Sequence, residues 1–170
     1  YETDTLRPKK TIYPNGGYVE SFYSDKEQSG NNLVPCYVRQ TTTLESNKFA
    51  QSYSYFDGRG LGIRSATQTP DGWSISAMEY DNLGRPKKSY NPFYGSTPTA
   101  AVPVGTKYSE VVNYDALGRT TQVRLQDNTS VYSYPNEATV TYTAPNSQSV
   151  TGTASRVMDQ ANKERRQIVD

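Results

Sequence analysis

Tyr80-Asp81-Asn82-Leu83-Gly84-Arg85 and Tyr114-Asp115-Ala116-Leu117-Gly118-Arg119 are two copies of one short phrase. Looser copies stand on either side, at Phe56-Asp57-Gly58-Arg59-Gly60-Leu61 and at Met158-Asp159-Gln160-Ala161-Asn162-Lys163. Every copy has an apolar residue, an Asp, two variable positions and then Gly or Asn. Serial repetition of this kind is typical of proteins built from one structural unit many times over. The phrase therefore predicts the architecture of the chain.

The phrase is typical of a β-hairpin turn. An Asp at the first position of a type I turn accepts hydrogen bonds from the backbone ahead of it. A Gly three residues later adopts the left-handed conformation that closes the hairpin with a bulge, and Asn tolerates that conformation better than most residues. The Arg after the Gly begins the next strand and can lie across a neighbouring aromatic ring. The predicted repeat-turn residues are Asp57, Gly60, Tyr80, Asp81, Gly84, Arg85, Tyr114, Asp115, Gly118, Arg119, Asp159 and Asn162.

The segments between these turns have the alternating pattern of half-buried strands. Apolar and polar residues alternate over residues 73–77, 121–125 and 139–143. Phe49, Tyr53 and Tyr55 share one face of a further predicted strand, and Gly17 precedes another over residues 18–23. A further turn is predicted at Pro145-Asn146, and residues 160–167 are expected to form a strand in preference to a helix. The sequence therefore predicts an all-β fold, an antiparallel meander of hairpins that forms a strip-like segment.

The chain divides into two regions by the regularity of its pattern. Residues 1–47 are predicted to form a divergent N-terminal β segment, and residues 48–170 carry the repeats. Residues 91–105 interrupt the repeats with Pro92, Pro98 and Pro103, and proline removes the backbone donor that a sheet needs. This insertion is therefore expected to be a loop or a sheet edge. We expect the chain to be a piece of a longer repeat protein.

The composition favours an ordered, thin sheet. Only 34% of the residues are hydrophobic, yet there are 15 Tyr and 4 Phe, and disordered chains usually lack aromatic residues. Tyr buries its ring while its hydroxyl remains in water. The 18 basic and 17 acidic residues nearly cancel, which argues against a nucleic-acid partner because phosphate binding needs concentrated positive charge. No apolar run is long enough to predict a membrane span.

The residue types of common catalytic sites are scarce. The chain has no His, which is the most frequent general base and metal ligand. Its one cysteine, Cys36, can form neither an internal disulfide nor a cysteine-based metal site. A pair of carboxylates for glycoside hydrolysis is conceivable, but nothing in the sequence selects one. We expect no enzymatic activity, no catalytic residue, no bound metal and no cofactor.

The two full phrases and the two looser ones resemble the YD-repeat, or RHS-repeat, family over residues 48–170. The resemblance implies a long antiparallel β-strip that spirals into a hollow shell. In bacterial members the shell encloses a C-terminal toxic domain, and in animal teneurins a related shell supports cell adhesion. The self-cleaving aspartyl motif of the bacterial shells is not found here, so the resemblance implies neither protease nor toxin activity.

The expected function is structural, as part of a β-shell in a larger secreted or surface protein. The expected partners are the remainder of that repeat protein and an enclosed or displayed C-terminal toxin domain. The alternative is a carbohydrate- or cell-surface-binding adhesion module in which Trp73 stacks on sugar rings. The competing interpretation of Trp73 is packing within the sheet. Exposed edge strands also make self-association an expected property.

Overall fold

The computed structural model describes residues 6–24, 27–29, 32–34, 36–45, 48–143 and 149–169. Within these ranges the chain forms β-strands and no helix, so the fold is all-β, as predicted. The strands are β1 Lys10–Ile12, β2 Tyr18–Ser24, β3 Glu27–Ser29, β4 Asn32–Val34, β5 Cys36–Glu45, β6 Lys48–Phe56, β7 Gly62–Thr69, β8 Gly72–Tyr80, β9 Pro86–Tyr90, β10 Phe93–Gly95, β11 Tyr108–Tyr114, β12 Thr120–Arg124, β13 Ser130–Thr143, β14 Ser149–Met158 and β15 Glu164–Val169.

The chain divides into two compact units. The first takes residues 1–79 and 90–106, and its strands lie in the order β1-β2-β5-β6-β7-β8, with β10 also paired to β8. The second takes residues 80–89 and 107–170, with the order β9-β11-β12-β13-β14-β15. Strands β3 and β4 form a separate hairpin. Successive strands pair antiparallel, which is the predicted meander.

The boundary predicted at residue 47 falls between β5 and β6, which pair from Cys36↔Phe56 to Glu45↔Lys48 with a register shift between Thr43 and Glu45. These two strands therefore pair across the predicted boundary. Residues 90–106 belong with the first unit, although the residues on either side of them belong with the second.

The predicted strands are present, with two changes of boundary. The segments 18–23, 49–55 and 73–77 lie in β2, β6 and β8. The segment 160–167 is a strand and not a helix only from Glu164 onward, because residues 159–163 form the fourth turn. The strand predicted over 121–125 ends at Arg124, because Leu125 is the first residue of a turn. The turn predicted at Pro145-Asn146 lies outside the described residues.

A small apolar core lies on one face of the first unit. Tyr53 opposes Ala66, Ala66 opposes Ile75, and Ile75 opposes Phe93 across four neighbouring strands. Ile75 has 0% of its surface exposed. The residues packed against this cluster are Tyr53, Trp73, Ala77, Ala100 and Val102.

The proline-punctuated insertion covers this core. Its first part forms β10, which pairs with β8, so this part is a sheet edge, one of the two expected forms. Beyond β10 the prolines prevent further pairing, but Ala100 and Val102 still pack against the core. The insertion is therefore a structural element of the first unit.

Gly95 marks the closest approach of the insertion to the sheet. A Cβ at this position would lie 2.5 Å from Ala100 Cβ and 2.9 Å from Ile75 Cδ1. We expect Gly95→Ala to lower the free energy of unfolding by about 1–3 kcal/mol through overpacking, as measured by urea denaturation. Gly62→Ala is the control, since a Cβ there meets open space. Equal midpoints for the two variants would contradict this account of the core.

Candidate functional site

The four predicted repeat turns share one backbone geometry. Gly84 N donates to Asp81 O at 3.0 Å, and Asp81 N donates to Arg85 O at 2.9 Å. The equivalent bonds in the other three turns are 2.9 or 3.0 Å long. The closing residues are left-handed, with φ of 80° at Gly60, 80° at Gly84, 79° at Gly118 and 57° at Asn162. This is a three-residue hairpin loop, a type I turn followed by a bulge.

The aspartate side chain of each full phrase accepts hydrogen bonds from residues of its own turn. Asp81 Oδ1 accepts hydrogen bonds from the backbone N–H groups of Leu83 and Arg85, both at 2.9 Å, and its Oδ2 accepts from Arg85 Nε at 2.7 Å. Asp115 makes the same three bonds within its own turn. The backbone N–H of Arg85 is the main cause that lowers the pKa of Asp81, and its guanidinium adds to the effect. The pKa of Asp115 is lowered in the same way by Arg119.

The first copy departs from the phrase but keeps its chemistry. Leu61 stands where the full phrases have Arg, and Arg59 lies inside the turn. Arg59 Nε donates to Asp57 Oδ2 at 3.0 Å, while Asp57 Oδ1 accepts from the backbone of Arg59 and Leu61, both at 2.9 Å. The Leu61 N–H is the largest cause of the lowered pKa of Asp57. The arginine that pairs with the aspartate therefore lies two positions earlier in this copy than in the full phrases, and the ion pair is kept.

The fourth copy keeps the backbone part of this arrangement. Asp159 Oδ1 accepts from Ala161 N at 2.9 Å and from Lys163 N at 2.8 Å. Asn162 takes the left-handed position that Gly holds in the other three copies. All four turns thus have an aspartate that accepts from the second and fourth residues after it.

Two further turns of this geometry were missed from the sequence. Residues 13–17 and 125–129 have the same pair of backbone bonds, with Gly16 and Asn128 in the left-handed position. Their first residues are Tyr and Leu, so the phrase is absent. The side-chain acceptor stands two positions later, because Asn15 Oδ1 accepts from Gly17 N at 3.1 Å and Asp127 Oδ1 accepts from Thr129 N at 3.0 Å. The Asn15-Gly16 and Asp127-Asn128 dipeptides were the available signals.

Consecutive full phrases contact each other in the second unit. The Arg85 guanidinium lies 4.2 Å from the centre of the Tyr114 ring, which is the predicted contact between a repeat cation and an aromatic ring. The Tyr114 hydroxyl donates to the backbone oxygen of Pro86. Arg85 therefore pairs with the aspartate of its own turn while it covers the tyrosine of the next phrase. Tyr80, the corresponding tyrosine of the first full phrase, is half-buried at the end of β8.

Trp73 lies in an intramolecular aromatic contact. Its ring meets Tyr53 edge to face, with centroids 5.3 Å apart and an angle of 74°, and it packs against the core cluster. Tyr53 in turn contacts Tyr37 at 5.6 Å, and Tyr37 contacts Phe22 at 6.1 Å. This geometry favours the packing interpretation of Trp73 over a sugar-stacking one.

An open groove of about 480 Å³ lies in the second unit beside the Asp115 turn. Its lining includes the side chains Asn113, Asp115, Arg119, Gln122, Tyr132 and Tyr134, of which only Asp115 and Arg119 were singled out from the sequence. In the described part of the chain, no group of three or more His, Cys, Asp or Glu residues is arranged to hold a metal. The same residues contain no helix of the length and apolarity that a bilayer crossing requires.

The left-handed glycines give a test of the turn assignment. Gly60 has φ +80° and Gly118 has φ +79°, and a Cβ at either position meets open space. We expect Gly60→Ala and Gly118→Ala each to lower the free energy of unfolding by about 1 kcal/mol, because only the backbone conformation is penalised. Gly58→Ala is the matched control in the same turn, since its Cβ also meets open space. Chemical denaturation in which all three variants behave alike would refute the assignment.

The aspartates give a pH dependence with a defined sign. Asp57, Asp81 and Asp115 have lowered pKa values in the folded chain, compared with about 3.9 when unfolded. Their stabilisation is therefore complete above the unfolded pKa and is lost as the pH falls through the folded values. We expect the melting temperature to fall on acidification below about pH 4.

The double variant Asp81→Asn/Asp115→Asn isolates this effect. An Asn oxygen still accepts the two backbone N–H groups but carries no titrating charge. We expect the variant to melt below the wild type at neutral pH, and the difference to shrink as the pH falls. A constant difference across the acidic range, followed by circular dichroism, would rule out the carboxylates as its source.

The comparisons with known proteins identify a family and no activity. A family model described as a domain of unknown function, DUF6443, matches residues 28–164. No curated protein matches the chain. The matched region contains all four repeat turns, the apolar core and the groove. The chain therefore belongs to the DUF6443 family.

Proposed function

We propose that this chain is a structural segment of a repeat-built β wall in a larger secreted or surface protein. The observation that carries the proposal is the contact between consecutive phrases, in which Arg85 covers the ring of Tyr114. A residue that stabilises its own turn and also contacts the next phrase couples neighbouring units. Such nearest-neighbour coupling is how repeat proteins obtain their stability.

The distribution of buried surface supports a wall. The buried hydrophobic residues in the described part of the chain are Tyr55, Ala66, Ile75, Phe93 and Ala154. Most other apolar side chains there are half-buried or exposed. Contacts between basic side chains and aromatic rings extend along both units, at Arg7–Tyr23, Lys10–Tyr18, Arg39–Phe22, Arg85–Tyr114, Lys88–Tyr108 and Arg156–Tyr134. A sheet stabilised mainly by such surface contacts suits a partition with water near both faces.

The resemblance to YD-repeat proteins extends this proposal to a shell. In that case the wall encloses or displays a C-terminal toxin domain, and its partners are that domain and the remainder of the repeat protein. The absence of His from the sequence supports a role without catalysis by this segment. The alternative role in carbohydrate or cell-surface binding is favoured by a different observation, the groove beside the Asp115 turn, whose lining combines tyrosine rings with polar side chains.

A double-mutant cycle between Arg85 and Tyr114 tests the coupling of phrases. Arg85→Ala and Tyr114→Leu each remove the contact between cation and ring, and the cycle cancels whatever else each substitution changes. We expect a coupling energy of about 0.5–1 kcal/mol in the free energy of unfolding, measured by urea denaturation.

The matched control is a cycle on Glu45 and Lys48. This ion pair has a distance of 3.0 Å, but both side chains are 71% exposed, so its coupling energy should be close to zero. If the Arg85–Tyr114 coupling energy is no larger than that of the control, consecutive phrases do not stabilise each other, and that result contradicts the wall proposal.

A further inference from the structure

The groove in the second unit is formed where the strand ladder is irregular. Val111 opposes Val123 and Asn113 opposes Gln122, so β11 carries one extra residue, Val112, between the two pairs. Bulges of this kind redirect side chains and are frequent beside binding sites. Here the bulge places Asn113 directly opposite Gln122, which itself opposes Tyr132 on the next strand.

Hydrogen bonds hold these three side chains in a row across three strands. Asn113 Nδ2 donates to Gln122 Oε1 at 2.8 Å. Gln122 Nε2 is shared between Tyr132 Oη at 3.3 Å and Ser130 Oγ at 3.2 Å. These bonds use one N–H of Asn113 and leave its carbonyl oxygen to accept from another group. The row is therefore a pre-organised set of neutral donors and acceptors.

Two tyrosines provide an aromatic surface beside this row. Tyr132 and Tyr134 project from the same face of β13, with centroids 6.5 Å apart and planes 21° from parallel. The Arg156 guanidinium lies 4.2 Å from the Tyr134 ring centre, and Arg156 pairs with Glu164 at 3.3 Å. These contacts fix the ring of Tyr134. Aromatic faces carry partial negative charge, so they attract the slightly positive C–H groups on the face of a sugar ring.

The charged wall of the groove is internally neutralised. Arg119 Nε lies 2.7 Å from Asp115 Oδ2, and Asp115 Oδ1 already accepts two backbone N–H groups. A phosphate or sulfate would have to compete with Asp115 for Arg119. The groove is also within the range of about 300–1,000 Å³ that is usual for small-molecule sites. These features favour a neutral ligand with many hydroxyl groups.

We propose that this groove binds a neutral sugar unit of a glycan. One face of a pyranose ring lies against Tyr132 and Tyr134, and its hydroxyl groups bond to Asn113, Gln122 and Arg119. This site is separate from Trp73, which packs within the first unit. This inference deepens the carbohydrate-binding alternative and rests on it. It does not depend on the wall proposal, which concerns the contact between Arg85 and Tyr114.

Calorimetric titration of the full chain tests the proposal with three neutral trisaccharides, cellotriose, maltotriose and triacetylchitotriose, and with sodium sulfate as the anionic probe. We expect at least one trisaccharide to bind with a Kd in the millimolar range or below, and sulfate not to bind. Tyr132→Ala and Asn113→Leu should each weaken the sugar about tenfold or more, because each removes one type of contact. Tyr94→Ala is the control, since Tyr94 is 76% exposed in the first unit, and it should bind as the wild type does.

Three results would overturn the proposal. They are no binding of any of the three trisaccharides at millimolar concentration, binding of sulfate in preference to sugar, and undiminished binding by Asn113→Leu. Asn113 is exposed, so we expect Asn113→Leu to fold even if Tyr132→Ala does not, and circular dichroism checks this. Calorimetric titration measures sugar binding, and urea denaturation measures the coupling between phrases. The groove proposal and the wall proposal can therefore fail independently of each other.

Discussion

The hydrogen bonds that an aspartate accepts from its own turn are the constraint on which the rest of the structure depends. Asp81 Oδ1 accepts from the backbone of Leu83 and Arg85, so the chain reverses at one defined residue. If a hairpin reversed one residue earlier or later, every side chain of the next strand would move to the opposite face. The contact of Arg85 with Tyr114 exists only because these turns keep their register.

A thin sheet needs such local constraints because it has little core. Ile75 and Ala66 are fully buried, but the apolar cluster around them is small and depends on cover from the insertion. Elsewhere the strands are stabilised by pairs of aromatic rings and by cations over rings, each worth about 0.5–1.5 kcal/mol. Stability is therefore distributed over many modest contacts, and correct register is what allows all of them to form together.

Much of this fold is readable from the sequence, because both of its signals are local. Alternation marks most of the strands, and the Asp of the phrase, with the Gly or Asn that follows it, marks four turns. The turns at residues 13–17 and 125–129 were missed because the backbone requires only a left-handed residue, here Gly16 and Asn128. The Asp or Asn whose side chain accepts the backbone hydrogen bond can be either the first or the third residue of the turn.

The features that were not predicted from the sequence depend on contacts between residues that are far apart along the chain. The packing of Ala100 and Val102 on the core follows from strand neighbours that no local pattern specifies. The same is true of the bulge at Val112 and of the groove beside it. Asp115 and Arg119 were identified as turn residues, but their place in the groove depends on Tyr132 in another hairpin.

The groove lies at an irregular part of the sheet, whereas the regular repeat turns set the register of the strands. A groove that forms at a break in the repetition has a surface that the regular units lack. The strand pair β11–β12 has such a break, since Val112 is an extra residue in one strand. The next turn, at residues 125–129, begins with Leu in place of the usual Asp. The full phrase at residues 114–119 joins β11 and β12 and supplies Asp115 and Arg119 to the groove, so a regular turn fixes one end of the proposed site, as pre-organisation requires.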